Sequence, residues 1–305
     1  MSPLSSRSRS ALLALAAVAV LGVASSADAQ ACCAGAGVFA PARLKLNEDA
    51  LVGMQLTGRD VIGSFSPQGI YVPAPGGTNE MDLEQDLLAT VRPFGNLQVG
   101  LLVPLVETRR AVPQLAETGW GIGDIALDGR YELVPPNTSN LPGLAIIGGV
   151  SLPTGRAPED ARSPLGTDAT GLGSAQISLG LDVERAIGNL LLDASGNMTW
   201  RTARTVGEIH EQLGLAGAVF AAAGWAFKHE RALALTAAFT AERAATINGD
   251  AVPSSGRLLT TIGLSAGTPL FESWRLQGRV YEDLPVLGKN QTAGPGIAAV
   301  VLRAW

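Results

Sequence analysis

Hydrophobic and polar residues alternate with a period of two along much of this chain. In residues 123–133, GDIALDGRYEL, one face carries charged side chains and the opposite face carries none. The charged positions are Asp124, Asp128, Arg130 and Glu132. Because successive side chains of a strand point to opposite faces, this pattern predicts a strand with one polar and one apolar surface.

Three further segments repeat the pattern clearly, at residues 174–184, 191–201 and 274–283. Their polar faces carry Asp182, Glu184, Asp193, Arg201, Arg275, Arg279 and Asp283. Weaker versions lie at residues 48–59, where Arg59 ends the segment, and at 83–93, 97–106, 144–153, 213–227, 232–242, 257–268 and 295–305. The total of about twelve strands is even, as expected for a closed antiparallel barrel.

The connections between these segments alternate in length. The longer ones fall near residues 60–81, 107–119, 154–171, 202–210, 246–256 and 284–294. The shorter ones fall near residues 94–96, 135–142, 187–189, 228–231 and 270–273. Short periplasmic turns and longer outer loops are the arrangement of bacterial outer-membrane barrels.

Aromatic residues concentrate at the ends of the predicted strands. The periplasmic ends carry Phe94, Tyr131, Trp225, Phe227, Phe271, Trp274 and Trp305, and the outer ends carry Phe65, Trp120 and Trp200. Aromatic rings favour the headgroup level of a bilayer, so these positions predict two girdles. The alternative is that aromatic residues favour strands and strand ends for reasons unrelated to a membrane.

The uncharged faces carry many Ala and Gly residues, where a soluble β-sandwich needs bulky core side chains. A membrane accepts such a face without tight packing. An Arg or Lys facing lipid costs roughly 2 to 4 kcal/mol at the bilayer midplane, so the charged faces are expected to line a narrow, polar lumen partly filled by ion pairs. The predicted lumen-facing residues are Arg59, Asp124, Asp128, Arg130, Glu132, Asp182, Glu184, Asp193, Arg201, Arg275, Arg279 and Asp283.

Composition argues against nucleic-acid partners, and the first thirty residues indicate an exported protein. Charged residues make up 16% of the chain, apolar residues make up 47%, and the formal net charge is -5. This is neither a disordered composition nor that of a basic nucleic-acid-binding protein. Arg7 and Arg9 precede an apolar run and a small-residue cleavage pattern at residues 27–29, which predicts a secretory signal peptide.

The predicted organisation is therefore a signal peptide at residues 1–29, a periplasmic leader at 30–46 and a barrel at 47–305. The fold class is all-β, with a single antiparallel transmembrane β-barrel in the outer membrane of a Gram-negative bacterium. Cys32 and Cys33 are adjacent, so they cannot link distant parts of the fold. Three states remain open for this pair: free thiols, local oxidation, or lipidation at Cys32.

The segments GWGIGDIALDGRYEL, LAIIGGVSLPTGR at 144–156 and LGTDATGLGSAQISLGL at 165–181 resemble outer-membrane barrels of the phenol-degradation meta-pathway transporter family. The shared features are Gly123-Asp124, the Leu-Pro-Thr-Gly of residues 152–155 and the glycine-rich residues 171–173. This resemblance implies an outer-membrane channel or uptake protein for small hydrophobic or aromatic compounds. The terminal Trp305 also resembles the signal that the barrel-assembly machinery recognises, although Arg303 departs from it.

Residues for catalysis or metal binding are sparse. His210 and His229 are the only histidines, and no metal ligand set, Ser-His catalyst or cofactor motif is predicted. A barrel phospholipase is the nearest enzymatic alternative, but no matching Ser and Asn surround His210. The acidic residues Glu159, Asp160 and Asp168 have no calcium-motif spacing and predict a solvated loop.

The function that the sequence favours is a passive channel for small solutes, with outer-membrane lipid as the surrounding partner. The alternative is a structural or surface-interaction barrel whose lumen is closed by salt bridges. A third hypothesis is a soluble periplasmic or secreted β protein, which detergent-free solubility would reveal.

Overall fold

The computed structural model describes residues 42–136 and 141–305, which form twenty β-strands and one short 3-10 helix at Pro158–Asp160. The strands are β1 (Ala50–Val61), β2 (Gly63–Phe65), β3 (Tyr71–Pro73), β4 (Asn79–Phe94), β5 (Leu97–Val112), β6 (Leu115–Ile122), β7 (Ile125–Val134), β8 (Gly143–Leu152), β9 (Gln176–Ile187), β10 (Leu190–Arg201), β11 (Arg204–Val206), β12 (Ile209–Gln212), β13 (Ala216–Ala226), β14 (Ala232–Glu242), β15 (Thr246–Ile247), β16 (Asp250–Ala251), β17 (Arg257–Phe271), β18 (Trp274–Asp283), β19 (Thr292–Ala293) and β20 (Pro295–Ala304). None of the helical structure in these ranges has the length and hydropathy of a membrane-crossing helix.

Twelve antiparallel wall positions close into a barrel. The strand order is β4, β1, β20, β18, β17, β14, β13, β10, β9, β8, β7 and β5, and the pairing of β4 with β5 closes the ring. The strand β6 pairs with residues 105–112 of β5, while β7 pairs with residues 97–102. Together β6 and β7 therefore make one wall position, which is interrupted at Gly123 and Asp124. The predicted twelve-stranded all-β barrel is confirmed.

The two ends of the barrel differ as the connection lengths predicted. Short turns follow β4, β9, β13 and β17, and we call this the turn end. At the opposite end, the loop end, two small sheets form from β2, β3 and β19 and from β11, β12, β15 and β16. The predicted loop at 107–119 is wrong, because β5 and β6 extend the wall there and leave a turn at Pro113 and Gln114.

The two faces of the wall have opposite chemistry. Exposed apolar side chains cover the outer face, for example Leu87, Leu179 and Leu235. Buried polar side chains such as Asp86 and Thr236 occupy the inner face of the same strands. This alternation suits a wall whose outer face contacts lipid hydrocarbon and whose inner face does not.

The predicted aromatic positions are mostly exposed at the strand ends. Trp120 at the loop end and Phe271 at the turn end are among the most exposed, at 73% and 74%. The prediction for Phe65 is wrong, because this residue is buried in the small sheet of β2, β3 and β19. Its ring packs edge-on against Tyr71 with centroids 5.5 Å apart, and so it stabilises a loop instead of joining the outer girdle.

The assignment of faces predicts unequal effects for neighbouring substitutions on β9. Leu179 is 55% exposed on the outer face, and the adjacent Ser178 lines an inner cavity. Leu179→Arg is expected to lower the free energy of unfolding by about 2 kcal/mol, because it places a charge in lipid. Ser178→Arg should leave stability near the wild-type value. Urea unfolding in lipid vesicles measures both, and equal losses would contradict the assignment.

Candidate functional site in the barrel interior

The residues before β1 enter the barrel at its turn end. Arg43 and Leu44 are 7% and 2% exposed. The Leu44 backbone N–H donates to Gln98 Oε1 at 3.0 Å, and the Thr90 hydroxyl donates to the Ala42 carbonyl at 2.9 Å. Leu44 also packs in an apolar cluster with Leu51, Leu88, Val300, Leu302 and Ala304. Of the predicted leader at 30–46, residues 42–44 thus lie inside the barrel, while residues 1–41 lie outside the described ranges.

A cluster of charged groups surrounds Arg43 on the inner faces of β7, β9 and β10. The Arg43 guanidinium donates two hydrogen bonds to Glu184, one of them at 2.5 Å. It also donates one to Glu132 at 3.1 Å. Arg130 contacts Asp182 at 2.5 Å and Glu132 at 3.4 Å. We call Arg43, Arg130, Glu132, Asp182, Glu184 and Asp193 the Arg43 cluster.

The Arg43 cluster holds more carboxylates than guanidinium groups. One oxygen each of Asp182, Glu184 and Asp193 lies within 4.8 Å of the others. Such close like charges repel, and the two arginines supply the cationic groups that offset this repulsion. The cluster therefore places a dense charge network across one side of the lumen near the turn end.

A second ion-pair group lies toward the loop end. Arg59 on β1 contacts Asp283 on β18 at 3.0 Å and Asp82 on β4 at 3.9 Å. The Thr261 hydroxyl donates a further hydrogen bond to Asp283 at 2.6 Å. Because these bonds join four strands, they fix the inner wall on the side opposite β9.

Two more predicted arginines pair with residues that the sequence did not single out. Arg201 contacts Glu242 at 2.9 Å, and Arg275 contacts Glu48 at 3.1 Å. Both pairs join residues distant in sequence. The first ties β10 to the end of β14, and the second ties β18 to the segment that precedes β1.

Four predicted charges form no salt bridge in the part of the chain that the structure describes, namely Asp124, Asp128, Asp193 and Arg279. Two of them, Asp128 and Arg279, border inner cavities. Asp128 lines an inner cavity of about 340 Å³ together with Arg43, Arg130 and Asn197. Arg279 lines a second inner cavity of about 270 Å³. Room for solvent or solute therefore exists beside both groups.

Asp124 serves a different purpose from the other predicted charges. Its carboxylate accepts hydrogen bonds from the backbone N–H groups of Gly155 at 3.0 Å and Leu172 at 2.8 Å. Thr154 adds two bonds nearby, donating its hydroxyl to the Gly123 carbonyl and accepting from the Ile125 N–H. Asp124 is therefore hydrogen-bonded to both ends of the loop formed by residues 154–172, which we call the inner loop.

The inner loop lies against the inner face of β6. A Cβ added to Gly119 would stand 2.5 Å from Thr167, and one added to Gly121 would stand 3.3 Å from Thr170. The alternating glycines therefore leave the space that the inner loop fills. The three motifs that carried the family resemblance meet here in one structure and narrow the loop end of the lumen.

Within the inner loop, Asp168 organises the backbone. Its carboxylate accepts bonds from the Ser163 and Arg162 N–H groups, each at 3.1 Å, and pairs with Arg156. The Ser163 N–H, followed by the Arg162 N–H and Arg156, holds the pKa of Asp168 below its usual value. Glu159 turns away to pair with Arg204 at 3.0 Å. The acidic side chains of this loop thus bind different partners.

The residues that sequence reasoning missed are mainly partners of the predicted charges. Arg43, Glu48 and Glu242 each pair with a charged inner-face group, and Gln98 accepts a hydrogen bond from the Leu44 N–H. One sign of Arg43 is visible in the sequence, because Arg43 and Lys45 are the only charged residues of the Ala- and Gly-rich leader at residues 30–46. The partners of such a charge depend on which strands meet across the barrel.

Comparison with solved structures shows which proteins share this fold. An outer membrane channel from Pseudomonas putida F1 is similar with a TM-score of 0.72 and 14% identity, covering 86% of this chain and 97% of that one. The translocator domain of the autotransporter NalP from Neisseria meningitidis has a TM-score of 0.50 and 12% identity, covering 86% and 91%. At these identities the similarity establishes the barrel fold.

The sequence comparisons give a family. No curated protein sequence matches this chain. The closed barrel with an apolar outer face places the protein in the outer membrane of a Gram-negative bacterium. The family model described as "Putative MetA-pathway of phenol degradation" matches residues 64–299, and the chain therefore belongs to this family of outer-membrane barrels.

Proposed function

We propose that the protein is a passive channel for small solutes, including small aromatic or hydrophobic compounds. The observation that carries this proposal is the polar inner face, which borders two cavities of about 340 and 270 Å³. Polar side chains inside a closed wall provide hydrogen-bonding partners for water and for a passing solute. The description of the family, which refers to phenol degradation, supports small aromatic compounds as solutes.

The proposed path is narrow at both ends. The Arg43 cluster and the segment at residues 42–44 occupy the turn end, and the inner loop covers part of the loop end. Twelve strands enclose less space than the sixteen of an open porin. Solutes that pass such a lumen must therefore be small, or one of these two elements must move.

A structural barrel with a closed lumen is the second candidate. The apolar packing of Leu44 beside the ion pairs of Arg43 favours it, because together they fill much of the turn end. The alternative also includes a surface-interaction role. Both candidates predict a folded, lipid-inserted barrel, and conduction is the property that distinguishes them.

The C-terminal strand supports a proposed interaction with the barrel-assembly machinery. Trp305 is 59% exposed, and its backbone exchanges hydrogen bonds with Ala50 at 3.0 and 3.1 Å. The terminal residue is thus held in the wall with its side chain outward, where an assembly partner can contact it. Export by a signal peptide at residues 1–29 remains a prediction from the sequence.

Single-channel recording of residues 30–305 in a planar bilayer tests the proposed function. We expect discrete conductance steps, and we expect Arg130→Ala to change their size because it removes the cation that contacts Asp182 beside the larger cavity. Arg185→Ala is the control, since Arg185 is exposed on the outer face of β9. Silence from protein shown to be folded and inserted would favour the closed structural barrel.

A further inference from the structure

The smaller inner cavity lies against β13, β14, β17 and β18. Its polar lining includes Thr236, Gln277 and Arg279, and its aromatic lining consists of Phe220 and Tyr281. The remaining side includes the small residue Ala298. The cavity thus combines one cation, neutral hydrogen-bonding groups and flat apolar surfaces in about 270 Å³.

Arg279 differs from the other predicted arginines of the inner face. Arg59, Arg130, Arg201 and Arg275 each contact a carboxylate within 4.0 Å, and across the described ranges Arg279 contacts none. Asp283 lies on the same face of β18, but it pairs with Arg59. A partly buried cation with no carboxylate in direct contact is costly, and an anionic ligand at Arg279 lowers that cost.

The position of Arg279 is held by its neighbours on the wall. Its guanidinium carbon stands 5.2 Å from the centroid of the Tyr281 ring. Its Nε lies over Gly263 on β17, where an added Cβ would be only 3.1 Å away. The guanidinium therefore lies along the wall beside the cavity.

Several buried polar atoms at this cavity have no hydrogen-bond partner among the described residues. They are the amide Oε1 and Nε2 of Gln277, the hydroxyl of Thr236 and the Nε of Arg279. Buried polar groups in folded proteins are nearly always bonded, and unpaired ones require an explanation. Small side-chain rotations that aim Gln277 and Arg279 into the cavity provide bonds for a ligand there.

The chemistry of the ligand follows from these groups. A carboxylate is planar and accepts two parallel hydrogen bonds from a guanidinium. The aromatic surface of Phe220 packs favourably against a flat ring. The negative charge of Asp86 on β4 restricts where an anion can bind. Asp86 accepts a hydrogen bond from Gln55 at the edge of the cavity and would repel an anion placed there.

We propose that this cavity is a binding site for small aromatic carboxylates, with the carboxylate at Arg279 and the ring against Phe220. This proposal rests on the proposed channel function, in which the cavity is a binding site along the solute path. The binding itself is measurable without transport, so the two proposals are separable.

Equilibrium dialysis of radiolabelled benzoate against the refolded chain in detergent micelles, with empty micelles as the blank, tests this site. We expect saturable binding that Arg279→Gln weakens about tenfold, equal to about 1.4 kcal/mol. Benzyl alcohol, which lacks the charge, should bind at least about tenfold more weakly than benzoate and should be insensitive to Arg279→Gln. Arg185→Gln removes an exposed charge elsewhere and should leave benzoate binding unchanged.

The outcomes separate the binding site from the channel. Unsaturable binding of benzoate, or equal affinities for the wild type and Arg279→Gln, overturns the site even if the protein conducts ions. Saturable, Arg279-dependent binding by a protein that never conducts supports the site and overturns the channel. Heat-modifiable migration of each variant on a gel confirms that the barrel is folded.

Discussion

Replacing Arg43 with alanine is expected to lower the free energy of unfolding by about 4 kcal/mol, since the loss of one partner leaves buried charges uncompensated. The guanidinium bonds Glu132 and Glu184, and both carboxylates are nearly inaccessible. Without this guanidinium, Arg130 is the single cation that offsets the four carboxylates of the Arg43 cluster. Urea unfolding in lipid vesicles measures the loss, and bilayer recording should show a shift toward cation selectivity.

Two controls separate charge from packing at this position. Arg43→Lys keeps the cation but loses the forked geometry, so it should recover part of the lost stability. Arg185→Ala, at an exposed outer position, should change stability by less than about 0.5 kcal/mol. If Arg43→Ala behaves like Arg185→Ala, Arg43 does not hold the cluster together.

Replacing Asp124 with alanine is expected to release the inner loop. The variant loses two hydrogen bonds from backbone N–H groups to a charged acceptor, for a combined cost of about 3 kcal/mol. The freed loop should leave the inner face of β6, widen the loop end and increase the conductance. Trypsin should also cleave more rapidly after Arg162, which is exposed in this loop.

Asp160→Ala is the matched control for this prediction. Asp160 belongs to the same loop and is exposed. Its replacement should leave both the conductance and the rate of cleavage after Arg162 unchanged. An unchanged conductance in Asp124→Ala, despite faster cleavage, would show that the inner loop does not limit the lumen.

The alternation in sequence predicted the twelve wall positions because the two faces of a barrel contact different surroundings. Segments such as β9 and β18 must place apolar residues outward at every second position, so their pattern is visible in the sequence alone. On β18, Arg275 and Asp283 are buried while Trp274 and Val280 are exposed, as the alternation implied.

The sequence did not predict β6, because its inner face does not contact the same surroundings as the other strands. Its inner face carries glycines at 119 and 121, so polar residues do not alternate with apolar ones there. The inner loop, which is distant in sequence, covers this inner face in place of polar side chains. Alternation cannot reveal a strand whose inner face is covered by another part of the chain.

The sequence also did not predict which groups the charged residues contact. Arg43 meets Glu132 and Glu184 because the segment before β1 folds inward beside β7 and β9. Asp124 bonds to backbone groups and Asp128 stands beside a cavity, although both share the alternation of Arg130. Alternation specifies a face of the wall, and the strand order with its register decides the contacts.

The central claim is that the polar inner face borders an aqueous solute path. Its most direct test is bilayer recording of Ser178→Cys and Leu179→Cys, each in a chain with Cys32 and Cys33 replaced by serine, during addition of a charged thiol reagent. We predict a stepwise fall in current for Ser178→Cys, which lines the larger cavity, and no change for Leu179→Cys on the outer face. A current that is unaffected in Ser178→Cys, or blocked equally in both variants, would contradict the claim.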